Sequence, residues 1–348
     1  MKENIVYVLW DITHKCSLSC KHCRANNPFI YEEKNLKFAK KVIDELAEIN
    51  LKTLAISGGD PLLRKDLPKI VDYATKKGIR VRIQTNGQMV NEKILDKLKK
   101  AGCDEFGIGL DSCNEEYHDW LRNKKGVFKK TIRAIKLIKR KGFRVHIEFT
   151  LNPKNKNEIK KVIKLCNKLD VDTLYSRGVI PFGKGIDKSL KFSSTKYREL
   201  LRKLCSQKYS NNNLKIASED PLWATIDKNL LKKVIKNNPG CLSGECISGC
   251  LAGINMFYIN PKGKIYPCSF LDIELGDLNK ESLKNILKDR KEKIPFFNRN
   301  SLKGKCSKCK LKYICGGCRA RAFNKFKDYC EEDPMCDSLI YNEINKNY

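Results

Sequence analysis

Strand-like and helix-like segments alternate through the first 180 residues, and this alternation limits the possible folds more than any other feature of the sequence. Strands separated by helices form right-handed βαβ units and a parallel sheet. Several helical segments stop at a glycine, which is typical of a helix C-terminus. We predict an α/β fold with an open six-stranded barrel, whose strands cover residues 5–13, 53–57, 80–85, 106–110, 144–151 and 173–179.

The composition changes along the 348-residue chain and indicates three parts. Residues 1–180 form the barrel. Residues 181–240 are predicted to be a mostly helical connector, with helices over 195–207 and 222–236. Residues 241–348 hold ten of the seventeen cysteines, the first at Cys241 and the last at Cys336. We expect them to form a small cysteine-rich α+β domain.

Whether cysteines form disulfides or bind metals depends on the cellular compartment of the protein. The first ten residues lack the basic and apolar regions of a signal peptide, and no apolar run reaches the length of a membrane span. We therefore expect a cytoplasmic protein without a membrane partner. Thiols stay reduced in the cytoplasm, so clustered cysteines there indicate metal ligands more often than disulfides.

The charge balance is strongly basic, with 70 Lys and Arg against 40 Asp and Glu, a net charge of +30. Such a balance raises the alternative of nucleic-acid binding. The lysines are spread over nearly every predicted helix, however, and form no compact stripe interleaved with aromatic residues. We therefore expect a general surface property, with nucleic acid an improbable partner. A positive field would also steer an anionic substrate inward.

The most specific local motif is Cys16-x3-Cys20-x2-Cys23, directly after the first predicted strand. Three thiolates on a short loop can ligate three irons of a 4Fe-4S cubane and leave the fourth iron free. Zinc is the alternative, but a structural zinc site needs four protein ligands. His14 and His22 are the nearby candidates, and they crowd the same loop.

This motif at this position resembles the radical SAM superfamily. The resemblance implies that the free iron chelates S-adenosylmethionine (SAM), whose reductive cleavage yields a 5′-deoxyadenosyl radical that abstracts a substrate hydrogen. It also implies a low-potential electron donor such as ferredoxin or flavodoxin. Gly58-Gly59-Asp60-Pro61 resembles the family's Gly-Gly-Glu-Pro segment, which holds the methionine amino group, with Asp60 in place of Glu.

Two further strand ends, at residues 84–87 and 109–112, resemble those of the family. Polar groups at strand ends are therefore candidate SAM contacts, and plain turn chemistry is the alternative for several of them. Arg177 could pair with the SAM carboxylate or be a surface charge. Besides Gly58, Gly59 and Asp60, the predicted cofactor-binding residues are Asn86, Ser112, Thr150 and Arg177, with Asn152 as a further candidate.

The C-terminal cysteines resemble the SPASM domain of radical SAM enzymes, which holds two auxiliary 4Fe-4S clusters. The resemblance assigns Cys250, Cys268, Cys318 and one upstream cysteine to the first cluster. The upstream ligand is Cys246 or Cys241, and the spacing slightly favours Cys246. The second cluster would be held by Cys306, Cys309, Cys315 and Cys336. A pair of zinc sites is the alternative. The segment 260–263 between these cysteines predicts a hairpin turn.

These features predict a radical SAM/SPASM oxidoreductase that works without oxygen, and the main hypothesis is oxidative modification of a peptide or protein side chain. Ser269, rather than an acid, follows Cys268, which argues against sulfatase maturation. The alternative enzyme is one that decarboxylates or trims tetrapyrrole side chains in haem formation. The alternative from another class is a nucleic-acid-binding protein that carries zinc or a cluster.

Overall fold

The computed structural model describes residues 5–25, 33–186, 188–209, 214–237, 249–337 and 341–342. Its strands are β1 (Tyr7–Asp11), β2 (Thr53–Ser57), β3 (Arg80–Thr85), β4 (Glu105–Gly109), β5 (Arg144–Leu151), β6 (Thr173–Gly178), β7 (Lys215–Ser218), β8 (Met256–Ile259), β9 (Lys264–Tyr266) and β10 (Gly276–Asp277). All ten belong to one sheet.

The helices lie mostly between these strands. They are α1 (Leu36–Glu48), α2 (Leu67–Lys76), α3 (Glu92–Lys100), α4 (Glu115–Arg122), α5 (Val127–Arg140), α6 (Ile159–Lys168), α7 (Ser194–Tyr209), α8 (Trp223–Ile226), α9 (Lys228–Asn237), α10 (Leu283–Lys293), α11 (Gly304–Lys308) and α12 (Arg319–Phe326). Short 3-10 turns occur at Pro61–Leu63, Gly183–Ile186, Lys188–Leu190 and Arg299–Ser301. No helix of the described residues is long and apolar enough to cross a membrane.

The sheet order is β10-β9-β8-β1-β2-β3-β4-β5-β6-β7. Strands β1 to β7 pair in parallel with their neighbours in the chain, as βαβ units require. The α/β class and the six predicted barrel strands are therefore confirmed.

The sheet curves into a partial barrel. Tyr7 on β1 interacts electrostatically with Glu219, which directly follows β7. These strands are six steps apart in the sheet and neighbouring strands lie about 4.8 Å apart, so a flat sheet would hold them about 29 Å from each other. Helices cover the convex side, where Ile43 of α1 and Ile70 of α2 are completely buried. The concave side is left for polar and charged side chains.

The structure adds elements that the sequence analysis missed. Strand β7 lies inside the segment predicted as a helical connector, and its four residues are too few to show a clear alternation. Helix α4 was not predicted. The helix predicted over 222–236 is divided at Asp227, whose carboxylate accepts a hydrogen bond from the Leu230 amide (3.0 Å) and caps α9. The connector is thus mostly helical, but it also extends the sheet.

The cysteine-rich C-terminal part continues the same sheet. Strand β8 pairs in parallel with β1, and β9 pairs antiparallel with β8. The side chain of Asn260 accepts hydrogen bonds from the amides of Lys262 and Lys264, each 3.0 Å long, and closes the predicted hairpin turn. Cys250 and Cys268 therefore flank a hairpin that packs beside the first barrel strand. The boundary at residue 241 stays a prediction.

Candidate cluster and substrate site

Two glycines fix the loop that carries the first cysteine motif. The amide of Gly59 donates to the carbonyl of Thr13 (2.9 Å), and a side chain on either glycine would overlap this loop. A Cβ on Gly58 would collide with the Thr13 carbonyl, and one on Gly59 would collide with that of Lys15. The Gly58-Gly59 pair is therefore required for the close approach of the β2 end to the segment before Cys16.

Asp60 is completely buried at the end of β2. Its Oδ1 accepts hydrogen bonds from the Thr85 hydroxyl (2.9 Å) and the Leu62 amide (3.1 Å). Its Oδ2 has no hydrogen-bond partner among the described residues. Burial raises the pKa of Asp60 to about 6, although these hydrogen bonds oppose the rise. A ligand amino group is the kind of donor that this second oxygen lacks.

The three N-terminal cysteines interact electrostatically with one another. The amide nitrogen of Asn86 lies 3.5 Å from the Cys16 sulfur, and the guanidinium of Arg122 lies 4.0 Å from the Cys20 sulfur. Burial raises the pKa of Cys16 to about 11. Iron binds the thiolate form of cysteine, so the free energy of iron binding has to offset the cost of a buried thiolate charge. Side-chain donors face the sulfurs of Cys16 and Cys20 and would favour their thiolates, and the role of all three cysteines as iron ligands stays a prediction.

Arg122 is a site residue that the sequence analysis missed, since α4 was not predicted. It forms an ion pair with the buried Asp111 (2.6 Å), and Gly109 leaves room for its guanidinium. Although burial opposes ionisation, Arg122 holds the pKa of Asp111 below its usual range. The ion pair fixes the guanidinium beside Cys20, where a cation favours a thiolate.

The remaining predicted SAM contacts occupy different environments. The hydroxyl of Ser112 donates to Glu158 (3.1 Å) and accepts from the Asn114 amide (2.9 Å), which is turn chemistry. The amide of Thr150 donates to Asp111 (3.0 Å). Thr150 is therefore bonded to Asp111 itself, whereas Ser112 follows Asp111 in the chain and bonds to Glu158 and Asn114. Their role as SAM contacts stays a prediction.

Arg177 faces the concave side of the barrel. It is ion-paired with Glu219 (3.1 Å), and the two side chains are 36% and 31% exposed. Glu148 on the neighbouring strand is 26% exposed. Arg177 interacts electrostatically with both acids, and we take the partly exposed concave surface around these three side chains as the candidate substrate cavity. Burial, followed by repulsion from Glu148, raises the pKa of Glu219.

A charged network crosses the floor of this cavity. The imidazole of His146 lies 3.2 Å from Glu105 on one side and 3.2 Å from Glu148 on the other. Burial favours neutral imidazole, but the two carboxylates outweigh it and raise the pKa of His146. Arg82 also pairs with Glu105. The sequence signal for this network was the charged residues at alternate positions of β3 and β5.

One wall of the cavity joins the two cysteine-rich regions. Arg24 follows Cys23, pairs with Asp11 (2.6 Å) and stacks over the Tyr258 ring at 5.0 Å. The hydroxyl of Tyr258 donates to the same Asp11 (2.8 Å). Arg24 also interacts electrostatically with Cys268. The cavity therefore lies between the N-terminal cysteine loop and the β8–β9 hairpin.

The structure brings the C-terminal cysteines together in two groups. Cys306, Cys309, Cys315 and Cys336 line one small cavity, together with Gly316 and Gly317. Cys250 interacts electrostatically with both Cys268 and Cys318, which form the second group with it. The amide of Cys250 donates to the Cys315 carbonyl (3.0 Å), so the two groups adjoin. The two upstream candidates, Cys241 and Cys246, lie outside the described residues.

Both groups suit cubane clusters. Within the described part of the chain, no three His, Cys, Asp or Glu side chains converge on a point that one metal ion could occupy. The ligands of a cubane bind different irons, so a cubane does not need such convergence.

Comparisons with known proteins identify the family. A model of the Radical SAM superfamily matches residues 10–166, and a model of an iron–sulfur cluster-binding domain, SPASM, matches residues 250–310. An AdoMet-dependent heme synthase of Methanosarcina barkeri is 31% identical over 333 residues, which are 94% of this chain and 95% of that protein. This chain belongs to the radical SAM superfamily. It is a radical SAM/SPASM enzyme whose cofactors are 4Fe-4S clusters and SAM.

Further proteins resemble the chain over most of its length. The pre-heme d1 synthase of Dinoroseobacter shibae is 25% identical and covers 94% of this chain and 85% of its own. The subtilosin biosynthesis protein AlbA of Bacillus subtilis is 27% identical, with coverages of 92% and 69%. Among solved structures, Streptococcus suis SuiB bound to its precursor peptide SuiA has a TM-score of 0.76 at 19% identity, with coverages of 96% and 75%. At that identity the likeness concerns the fold.

Proposed function

We propose that this radical SAM enzyme removes carboxylate groups oxidatively from the side chains of an iron tetrapyrrole, as a step of haem formation. One observation carries the proposal: the similarity to a haem synthase runs over 94% of this chain and 95% of that protein. It therefore includes both cysteine-rich regions and the barrel strands that line the cavity. Pre-heme d1 synthase, a second relative with a tetrapyrrole product in its name, supports the same substrate class.

The cavity suits a flat anion with carboxylate arms. Arg24, Arg82 and Arg177 lie on its wall and floor, where they are ion-paired with Asp11, Glu105 and Glu219 and would also contact a bound carboxylate. Tyr175 and Tyr258 add aromatic surface, and each is stacked with one of these arginines. A guanidinium binds a carboxylate through two parallel hydrogen bonds, which fixes direction as well as position. We assign the carboxylate arms of the substrate to these arginines.

Cofactor binding follows from the geometry of the same residues. We propose Cys16, Cys20 and Cys23 as ligands of the N-terminal cluster. The unpartnered oxygen of Asp60 is proposed to accept a hydrogen bond from the SAM amino group. Gly58, Gly59 and Asn86 would line the same site, because they border the cysteine loop. Thr150 would act indirectly, through the Asp111 carboxylate that positions Arg122, and Ser112 would act through the turn that it forms with Asn114.

The two auxiliary clusters are proposed to have separate ligand sets. Cys250, Cys268 and Cys318 would hold the first, with Cys246 or Cys241 as a fourth ligand. The second set is Cys306, Cys309, Cys315 and Cys336, which line one cavity.

The proposed reaction needs no protein base, because the substrate loses a hydrogen atom, CO2 and an electron rather than a proton. When bound, the N-terminal cluster and SAM supply a 5′-deoxyadenosyl radical, and the auxiliary clusters supply a one-electron acceptor. A propionate-type side chain that loses one hydrogen atom, CO2 and one electron gains a carbon–carbon double bond. The protein then has to hold the carboxylate and keep the reacting carbon apart from water. Arg177 serves the first need, since it is the most exposed of the cavity arginines.

The test is anaerobic incubation of the reconstituted enzyme with SAM, a strong reductant and Fe-coproporphyrin III as the probe substrate. We expect products that have lost the mass of formic acid, CO2 plus H2, once for each converted side chain. Arg177→Met should raise KM for the porphyrin while the iron content stays unchanged. Arg144→Met is the matched control, because Arg144 is 49% exposed at the opposite end of β5. Substrate-independent SAM cleavage with an unaltered porphyrin would contradict the proposal.

Peptide modification, the main hypothesis from the sequence, becomes the second candidate. The similarity to AlbA supports it, although that relative is matched over only 69% of its length, against 95% for the haem synthase. The same incubation with a peptide in place of the porphyrin separates the two functions. Nucleic-acid binding stays an improbable alternative.

A further inference from the structure

Two arginines are buried beside the auxiliary cysteines without a described carboxylate in direct contact with them. Arg319 is completely buried, and Arg299 is 6% exposed. Neither is ion-paired with an aspartate or glutamate of the described residues. A third buried arginine nearby, Arg321, shows the usual arrangement, since it is ion-paired with both Asp220 (2.5 Å) and Asp333 (2.6 Å).

The direct partners of Arg319 are three carbonyls and one sulfur, and Asp328 interacts with it electrostatically from beyond ion-pair distance. Its guanidinium donates to the carbonyls of Gly317 (3.3 Å), Tyr329 (3.0 Å) and Glu331 (2.6 Å). The remaining nitrogen lies 3.8 Å from the Cys306 sulfur. As a thiol, Cys306 would leave the guanidinium without an anion in direct contact. As an iron-bound thiolate, it would place negative charge at that nitrogen.

Arg299 lies where the two cysteine groups adjoin. One nitrogen donates to the carbonyl of Cys250 (2.5 Å). Its other two nitrogens have no hydrogen-bond partner among the described residues. The amide of Cys250 is in turn bonded to the carbonyl of Cys315, which belongs to the other group. Arg299 therefore presents two guanidinium nitrogens without hydrogen-bond partners, and their positive charge, to the space that adjoins both cysteine groups.

Consecutive glycines make room for the two guanidiniums. Gly316 and Gly317 both have positive φ, +63° and +59°. A Cβ on Gly316 would overlap Arg299, and one on Gly317 would lie 2.6 Å from Arg319. The Gly-Gly pair between Cys315 and Cys318 thus leaves space for both guanidiniums and also allows the positive φ angles of the turn.

A buried charge without a counter-charge in contact is strongly destabilising, and no described carboxylate contacts either of these two guanidiniums directly. A 4Fe-4S cluster with four thiolate ligands carries net negative charge. We propose that Arg299 and Arg319 are the counter-cations of the auxiliary clusters, Arg319 of the second cluster and Arg299 of both. The proposal rests on the cysteine assignments made above, and it does not depend on which substrate the enzyme uses.

The consequence is redox tuning. Reduction adds one negative charge to a cluster, and a buried cation stabilises that reduced state more than the oxidised one. Charge and hydrogen bonds to sulfur are among the main determinants of cluster potential. Arg299 and Arg319 therefore raise the potentials of the auxiliary clusters. That makes the clusters better acceptors of the electron that an oxidised substrate gives up, which then leaves to a one-electron carrier protein.

The test is an anaerobic redox titration of the full-length holoenzyme, followed by the EPR signals of its reduced clusters. The N-terminal signal is identified by its change on adding SAM, and no substrate is present. In Arg319→Gln and Arg299→Gln, we expect the reduced-to-oxidised ratio of the auxiliary clusters to fall at least tenfold at a given potential, a shift of about 59 mV for one electron. The lysine variants, Arg319→Lys and Arg299→Lys, should recover part of it. Lys308→Gln removes an exposed cation next to Cys309 and should change little.

Each outcome of the titration and of the iron analysis supports or overturns the role of the two arginines as counter-cations. Glutamine variants that keep their iron and their potentials would overturn the proposal. Iron loss in the glutamine variants but not in the lysine variants would support charge balance. Equal iron loss in both would overturn it, because positive charge would then not be what the site requires. A wild-type enzyme with iron for one cluster only would instead contradict the cysteine assignments.

Discussion

The Thr85 hydroxyl donates a 2.9 Å hydrogen bond to one oxygen of Asp60, whose other oxygen has no partner in the described part of the chain. Thr85 ends β3, and Asp60 caps the 3-10 turn Pro61–Leu63 that follows the neighbouring strand β2, so both positions are set by adjacent strand ends. A buried carboxylate with one free oxygen is a poor arrangement for stability and a good one for binding a cation. It is the basis of the first prediction.

Asp60→Asn should change stability and SAM binding in opposite directions. Folding raises the Asp60 pKa from 3.8 to about 6, so the folded state holds this proton more tightly than the unfolded chain does. Its contribution to stability therefore falls as the pH rises through this range. At pH 7 to 8 the variant should be more stable without SAM, by up to about 3 kcal/mol. It should also bind SAM at least about tenfold more weakly, because a charge-assisted hydrogen bond is lost.

Thermal unfolding at several pH values and equilibrium SAM binding check these two effects. Wild-type SAM affinity should also fall below about pH 6, as Asp60 takes up its proton. A variant that binds SAM as tightly as the wild type would show that Asp60 does not contact the ligand. Iron content serves as the control and should not change.

Metal analysis tests the number of clusters. Three cubanes require about 12 iron and 12 sulfide per chain after anaerobic reconstitution. Replacement of Cys16, Cys20 and Cys23 by alanine should leave about eight of each, since the C-terminal sets are independent of that loop. Cys166→Ala is a suitable control, because Cys166 is completely buried within α6. Zinc with little iron would refute the cluster assignments.

Cys336→Ala should damage the electron acceptor and spare the source of the radical. Cys336 shares its cavity with Cys306, Cys309 and Cys315, well separated in sequence from the N-terminal loop. We expect SAM cleavage to continue while the yield of product per 5′-deoxyadenosine falls several-fold. The measurement is that ratio in a single anaerobic incubation. An unchanged ratio would mean that the substrate electron does not leave through this cluster.

Gly107→Ala should destabilise the barrel through a clash on its concave side. A Cβ at this position would overlap the amide of Gln84 and the imidazole of His146, which lie 3.2 Å apart above the glycine. Overpacking of this kind costs about 1–3 kcal/mol. In the double variant Gln84→Ala/Gly107→Ala, part of the clash is gone, so the two changes should not be additive. Thermal unfolding of all four proteins measures the coupling, and strict additivity would argue against the clash.

The sequence by itself determined the local elements and the cysteine chemistry. Each barrel strand and most of the helices follow from hydrophobic periodicity and from caps that act within a few residues. The glycine at the end of α2 and the spacing of Cys16, Cys20 and Cys23 are likewise local signals. For the same reason the hairpin turn at Asn260 was predictable, since its side chain bonds only to residues two and four positions ahead.

Tertiary structure decided what the concave side contains. The ion pair between Arg177 and Glu219 joins residues 42 positions apart, and Glu105 meets His146 only because β4 and β5 are neighbours. Arg299 and Arg319 have ordinary places in the sequence, and their burial beside the cysteines follows from packing. From the sequence alone, a charged side chain is predicted to be a solvated surface group, because only the tertiary structure determines whether it is buried. The sequence therefore predicted which cofactors the chain binds, whereas only the packed structure showed which charges surround them.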